Sequence, residues 1–150
     1  MTVQKLWDLQ KIRIKYEEVK EEYKNSLLLE EIKSLKGEIK NLENEIEKIL
    51  AEEKEIGRKA RKCYQKEIEM EEKEGELKEK LYGGSVSNLK ELEKLQVKLG
   101  KVTEEKGTSA DEYLELSILQ EDLQKRISKL EDEHQQKKIQ YATARTNFQN

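Results

Sequence analysis

From Leu28 onward, apolar side chains recur at alternating steps of four and three: Leu28, Ile32, Leu35, Ile39, Leu42, Ile46, Ile49, Ile56, Ala60, Cys63, Met70, Leu77 and Leu81. Only Glu53, Glu67 and Glu74 interrupt the stripe. The residues between are almost all Glu, Lys and Asn. A 3.5-residue period held this long is a coiled-coil seam, because only supercoiled helices keep such a stripe facing one partner. A second stripe begins at Leu92 and runs through Leu95, Leu99, Val102, Tyr113, Leu116, Leu123, Ile127, Leu130, Tyr141 and Ala144 to Phe148. Lys106, Ser109, Gln120, His134 and Lys137 interrupt it.

The two stripes match when one is reversed. Leu77 with Leu92, Met70 with Leu99, Ile56 with Tyr113 and Ile39 with Leu130 have position numbers that sum to 169. A hairpin centred near Gly84 then sets core position against core position. The expected fold is all-α: a long antiparallel two-stranded coiled-coil hairpin with a short kinked N-terminal helix. Its parts are an N-terminal helix over 1–25 and a hairpin over 26–150, with arms of about 26–81 and 88–149 and a tip at 82–87. At about 1.5 Å per residue the arms would be roughly 80 Å long.

The stretch "EKLYGGSVSNLKEL" supplies the turn. Gly83 or Gly84 can take the left-handed conformation that ends a helix. Asn88, with Glu91 three residues on, resembles a capping box, and Ser87 is an alternative cap. A phosphate-binding loop needs a strand before it and a G-x-x-x-x-G-K-[ST] pattern, which two adjacent glycines do not supply. Tyr82, Gly83, Gly84, Val86, Asn88 and Leu89 form the candidate docking tip, since Tyr82, Val86 and Leu89 are more apolar than a reversal needs.

Two places break the pattern. Leu9, Ile12, Tyr16, Val19 and Tyr23 form a separate seam, two residues out of register with Leu28. A kink or break near Asn25 to Leu27 is expected there. By the sum of 169 this segment reaches past residue 150, so it folds back on the hairpin, pairs with a second copy, or meets another molecule. Trp7, Leu9, Ile12, Tyr16, Leu27 and Leu29 are the candidate contacts. The second break lies within the hairpin, where Gly57, Ala60, Cys63, Lys106, Gly107 and Ser109 fall at nearly one height. Ala60 would face Ser109, and Cys63 would face Lys106, with Glu67 one layer away to pair with that lysine. Ser109 with Glu112 could cap a new helix after Gly107. A weak point or bend is expected.

Composition narrows the class. Charged residues make up 42% of the chain and proline is absent, as in long helices. A net charge of −3 gives no global pull towards nucleic acid or anionic lipid. No apolar run is long enough for a membrane span, and "MTVQKLWDLQ" lacks a signal-peptide core, so a cytoplasmic location is expected.

Few residues invite chemistry. Cys63 sits on the seam as a small hydrophobe, with Arg61, Lys62 and Lys106 as nearby cations. His134, expected to face Leu35, has no second ligand at metal spacing. A two-stranded coil offers no pocket for a catalytic set, so no enzyme is expected. "GRKARKCYQK" places Arg58, Lys59, Arg61, Lys62 and Lys66 largely off the seam. They read either as a solvated face or as a phosphate contact for RNA or DNA, with Tyr64 able to stack on a base.

The tip carries one family signature. "KLYGGSVSNLKELEKLQVKL" resembles the hairpin tip of the bacterial C4-type zinc-ribbon coiled-coil family, through Tyr82, Gly83 or Gly84, Val86, Asn88, Lys90, Glu91, Leu92, Leu95 and Gln96. Leu89 stands where that family often has proline. "LWDLQKIRIKYEEVKEE" is similar to the family's first helix, and "YATARTNF" to the end of its second arm. The resemblance implies an adaptor or chaperone, with members linked to the enhancer-dependent sigma factor, to flagellar or type III secretion regulation, and to RNA. Zinc is expected only if a C-terminal ribbon follows in the native protein, since its Cys-x-x-Cys pairs are absent here. The expected partners are proteins, with a homodimer or RNA as alternatives and no membrane.

Overall fold

The computed structural model describes residues 2–84 and 87–149. Among them are two helices, α1 (Thr2–Tyr82) and α2 (Leu89–Gln149), and no strand. Val86 of the candidate tip lies outside the described residues. The hairpin is as expected: two long helices, the first ending at Tyr82 and the second starting at Leu89, pack against each other.

The reversal follows from its residues. The Gly83 amide still donates to the Glu79 carbonyl oxygen at 2.7 Å, closing the last turn of α1. A Cβ on Gly83 would collide with that carbonyl, so the position requires glycine. Gly84 then adopts φ +72°, the left-handed conformation that ends helices. Asn88, not Ser87, caps α2. Its Oδ1 accepts from the Lys90 amide at 3.0 Å and its carbonyl accepts from the Leu92 amide at 3.0 Å.

By packing, the chain divides into two compact units, Met1–Glu47 with Lys129–Asn150, and Lys48–Ser128. In Lys48–Ser128, Ile49, Gly57, Ala60, Met70, Ser109 and Ile127 are buried. In the other unit Leu35 and Ala144 are buried. Around these, every seam position from Leu28 to Leu81 and from Leu92 to Ala144 is at least half-buried, including the polar ones. Phe148, last in the second stripe, is exposed.

The register differs from the sum of 169. Tyr64 packs on Tyr113 with ring centroids 5.3 Å apart, and those positions sum to 177. Glu53 with Gln124 and Glu43 with His134 also sum to 177, and Glu38 with Lys137 and Cys63 with Glu112 to 175. These pairs centre on 176, one heptad beyond 169. A heptad slip leaves every core position opposite a core position, so the apolar pattern is blind to it. The polar interruptions decide instead. One heptad back, at 169, Lys36 would stand where Glu43 meets His134, and Ile46 where Glu53 meets Gln120 and Gln124. Lys106 does not discriminate: it meets Glu74 here and would meet Glu67 at 169.

Two further expectations are corrected. No break occurs at Asn25 to Leu27, because α1 runs unbroken through it. "NSLLLEE" holds no Gly or Pro, so the stripe shifts round the helix without interrupting the backbone. Nor does Ser109 start a new helix. α2 is continuous through Gly107, and Ser109 is a buried small residue. The slip also splits the thin layer. Gly57 and Ala60 lie at the level of Gln120 and Leu116, while Lys106 lies near Glu74.

Candidate functional site

The first candidate surface is the start of α1. The observed register brings Gln149 level with Leu27, so residues 2–26 extend past the end of α2 without a facing helix. Every residue there is exposed, including Trp7, Leu9, Ile12, Tyr16, Val19 and Tyr23. Leu27 and Leu29, level with the end of α2, are also exposed. The segment continues α1 rather than folding back on the hairpin. Lys11 Nζ lies 5.7 Å from the centre of the Trp7 ring, a solvent-exposed cation–π contact that covers part of the indole. Leu9, Ile12, Tyr16, Val19 and Tyr23 thus form an open seam, the same kind of stripe that α2 covers further along.

The second candidate is the tip. Tyr82 is 77% exposed and Leu89 71% exposed, on either side of Gly83 and Gly84. Asn88 is committed to its cap. Packing therefore does not consume the two apolar side chains of the described tip.

The basic run is only partly assembled. Arg58 donates to Glu55 at 2.6 and 3.2 Å, which holds the Glu55 carboxyl below the ordinary range and raises the arginine. Tyr64 lies against Tyr113, so one of its faces is occupied. Lys59, Arg61, Lys62 and Lys66 are exposed. Cys63 is half-buried, with Sγ 3.5 Å from Glu112 Oε2. Burial first, then the Glu112 carboxylate, pushes the thiol up. It is a poor nucleophile at neutral pH.

The polar seam positions form cross-helix contacts. Gln120 and Gln124 both donate to Glu53 Oε1, at 2.9 and 3.1 Å. These bonds hold the Glu53 carboxyl below its ordinary value. A Cβ on Gly57 would come within 2.7 Å of Gln120 Nε2, so the glycine leaves room for that amide. Glu74 takes Lys78 at 3.0 Å and Lys106 at 3.6 Å, which lower its pKa in that order. Such layers restrict register. Among the described residues no three His, Cys, Asp or Glu side chains converge as a metal site, and no helix is long and apolar enough to cross a membrane.

One surface was not legible as a motif. A groove of about 400 Å³ in the unit Lys48–Ser128 runs between the C-terminal part of α1 and the start of α2. Lysines from two distant segments line it and the adjoining face of α2. No protein-family model, curated protein or solved structure matches the chain.

Proposed function

We propose that the protein is a non-enzymatic adaptor or chaperone-like hairpin that binds a helical segment of another protein along the start of α1. The observation that carries this reading is the open seam of Leu9, Ile12, Tyr16, Val19 and Tyr23, exposed on a helix that runs past its partner. An exposed, heptad-spaced stripe of this length fits the helix-in-groove mode of recognition. The resemblance of the tip to the zinc-ribbon hairpin family points the same way, with a sigma factor or secretion regulator as the partner class. The exposed Tyr82 and Leu89 offer the adaptor a second contact point.

The test is photo-crosslinking in the source cells from a reactive residue placed at Ile12 or Tyr16, with Lys129 as a solvated control. A discrete heterologous protein adduct from both seam positions, lost on Val19→Glu, supports the adaptor. A homodimer adduct alone would favour a self-associating spacer. An RNA adduct that depends on Lys59, Arg61, Lys62 and Lys66 would favour nucleic-acid binding. Either of the last two results contradicts the proposal.

A further inference from the structure

We propose that the groove between residues 70–80 of α1 and 90–102 of α2 docks an acidic amphipathic helix of a partner protein. The inference rests on the adaptor reading and adds the partner's chemistry at a separate surface. Its floor is apolar: Met70, Leu77 and Val102 line it, and Val97, 60% exposed, extends it along α2. Its banks are basic. Lys73 and Lys80 stand on α1, and Lys90, Lys94, Lys98 and Lys101 on α2. The same lining includes only three carboxylates, Glu76, Glu93 and Glu105. None of the six lysines forms an ion pair with a described residue.

The lysine row is costly to the helix that carries it. Lys90, Lys94, Lys98 and Lys101 are spaced four, four and three, so each neighbouring pair is a like-charge contact on one face. Such pairs destabilise a helix where Glu–Lys pairs would stabilise it. Glu91, Glu93 and Glu105 stand three or four residues from Lys94, Lys90 and Lys101 and offset part of this cost, but they close no ion pair with these lysines, which an incoming row of carboxylates would. From Lys90 to Lys101 the helix rises roughly 17 Å, about three turns, which sets the shortest occupant that covers the row. A third helix in the groove of a two-helix coil buries its own apolar stripe on the floor and sets flanking Glu or Asp against the banks. A nucleic acid fits less well. No aromatic ring lines the groove to stack a base, all six cations are lysine, and an apolar floor gives nothing to phosphates.

The full chain is titrated into a labelled designed peptide of about four heptads, with leucines at seam positions and glutamates flanking them. Its twin with lysines for glutamates, a single-stranded oligouridylate and anionic lipid vesicles are measured alongside, all by fluorescence anisotropy or sedimentation. The acidic peptide is expected to bind and the twin not to. Lys98→Glu with Lys101→Glu should weaken binding at least tenfold while leaving helicity and melting unchanged or slightly raised, and Val97→Gln should weaken it severalfold with both unchanged. Absence of binding, or equal binding of the twin, overturns the proposal. So does tighter oligouridylate or vesicle binding that needs the lysines but ignores Val97→Gln. A self-associated chain that the lysine change makes monomeric would put a second copy in the groove and also overturn it. None of these results touches the crosslinks from Ile12 and Tyr16, so the adaptor reading stands or falls separately.

Discussion

Single residues set the alignment of this hairpin. Apolar seam positions fit at 169 or at 176 alike, and the polar ones break the tie. Glu53 illustrates how. It is half-buried, and two amides from α2 close on one of its oxygens. Its folded-state pKa is lowered, so at mildly acidic pH the unfolded chain binds more protons than the folded one. The contribution is fully present above the unfolded value and is lost as pH falls through the folded one. Glu74, held by Lys78 and Lys106, adds in the same sense. Stability should therefore fall with acid in a window that opens near the ordinary glutamate value of 4.5 and extends below it. Glu53→Gln should make that fall shallower, measured by denaturant unfolding across a pH series. An unchanged acid limb would show that Glu53 is ionised equally easily in both states.

At the scale of elements, glycine placement separates packing from propensity. Gly107 lies within α2, where an added Cβ would meet nothing within 4 Å, whereas one on Gly57 would meet Gln120 Nε2 at 2.7 Å. Gly107→Ala should stabilise the chain by about 0.5–1 kcal/mol through helix propensity alone. Gly57→Ala gains the same propensity but displaces the Gln120 amide from Glu53, a hydrogen bond worth about 1 kcal/mol, and should come out near neutral. Equal gains at both sites, read from urea midpoints, would mean that the Glu53 layer contributes nothing. Much of this level was legible in the sequence. The seam positions, the left-handed glycine and the Asn88 cap each have a local cause. The heptad offset was not, because a seven-residue period cannot report a seven-residue slip. The break expected near Asn25 fails for a related reason: a stripe can shift round a helix while the backbone continues. The lysine groove escaped because its banks come from segments that meet only after the chain reverses.

For the molecule as a whole, the consequence of the register is an unpaired start to α1. At 169 the open stretch would end near residue 19. At 176 it reaches residue 26 and takes in Tyr23, the last member of the N-terminal seam. Because every residue from 2 to 24 is exposed, removing them should shift thermal melting by no more than about 2 °C, whereas loss of a packed segment this long would cost several times that. A large drop would place those residues in the hairpin core and remove the surface on which the adaptor reading rests. The alignment of the arms is thus the claim from which the open seam follows. Disulfide trapping tests it most directly. With Cys63→Ser as background, the pair Ala60→Cys and Leu116→Cys sums to 176, and the pair Ala60→Cys and Ser109→Cys sums to 169. Seven helical residues are about 10 Å, beyond the reach of a disulfide. Oxidation should cross-link the first pair within the monomer and leave the second as free thiols. Cross-linking of the second pair alone would contradict the register, and with it the opening of the seam at Tyr23.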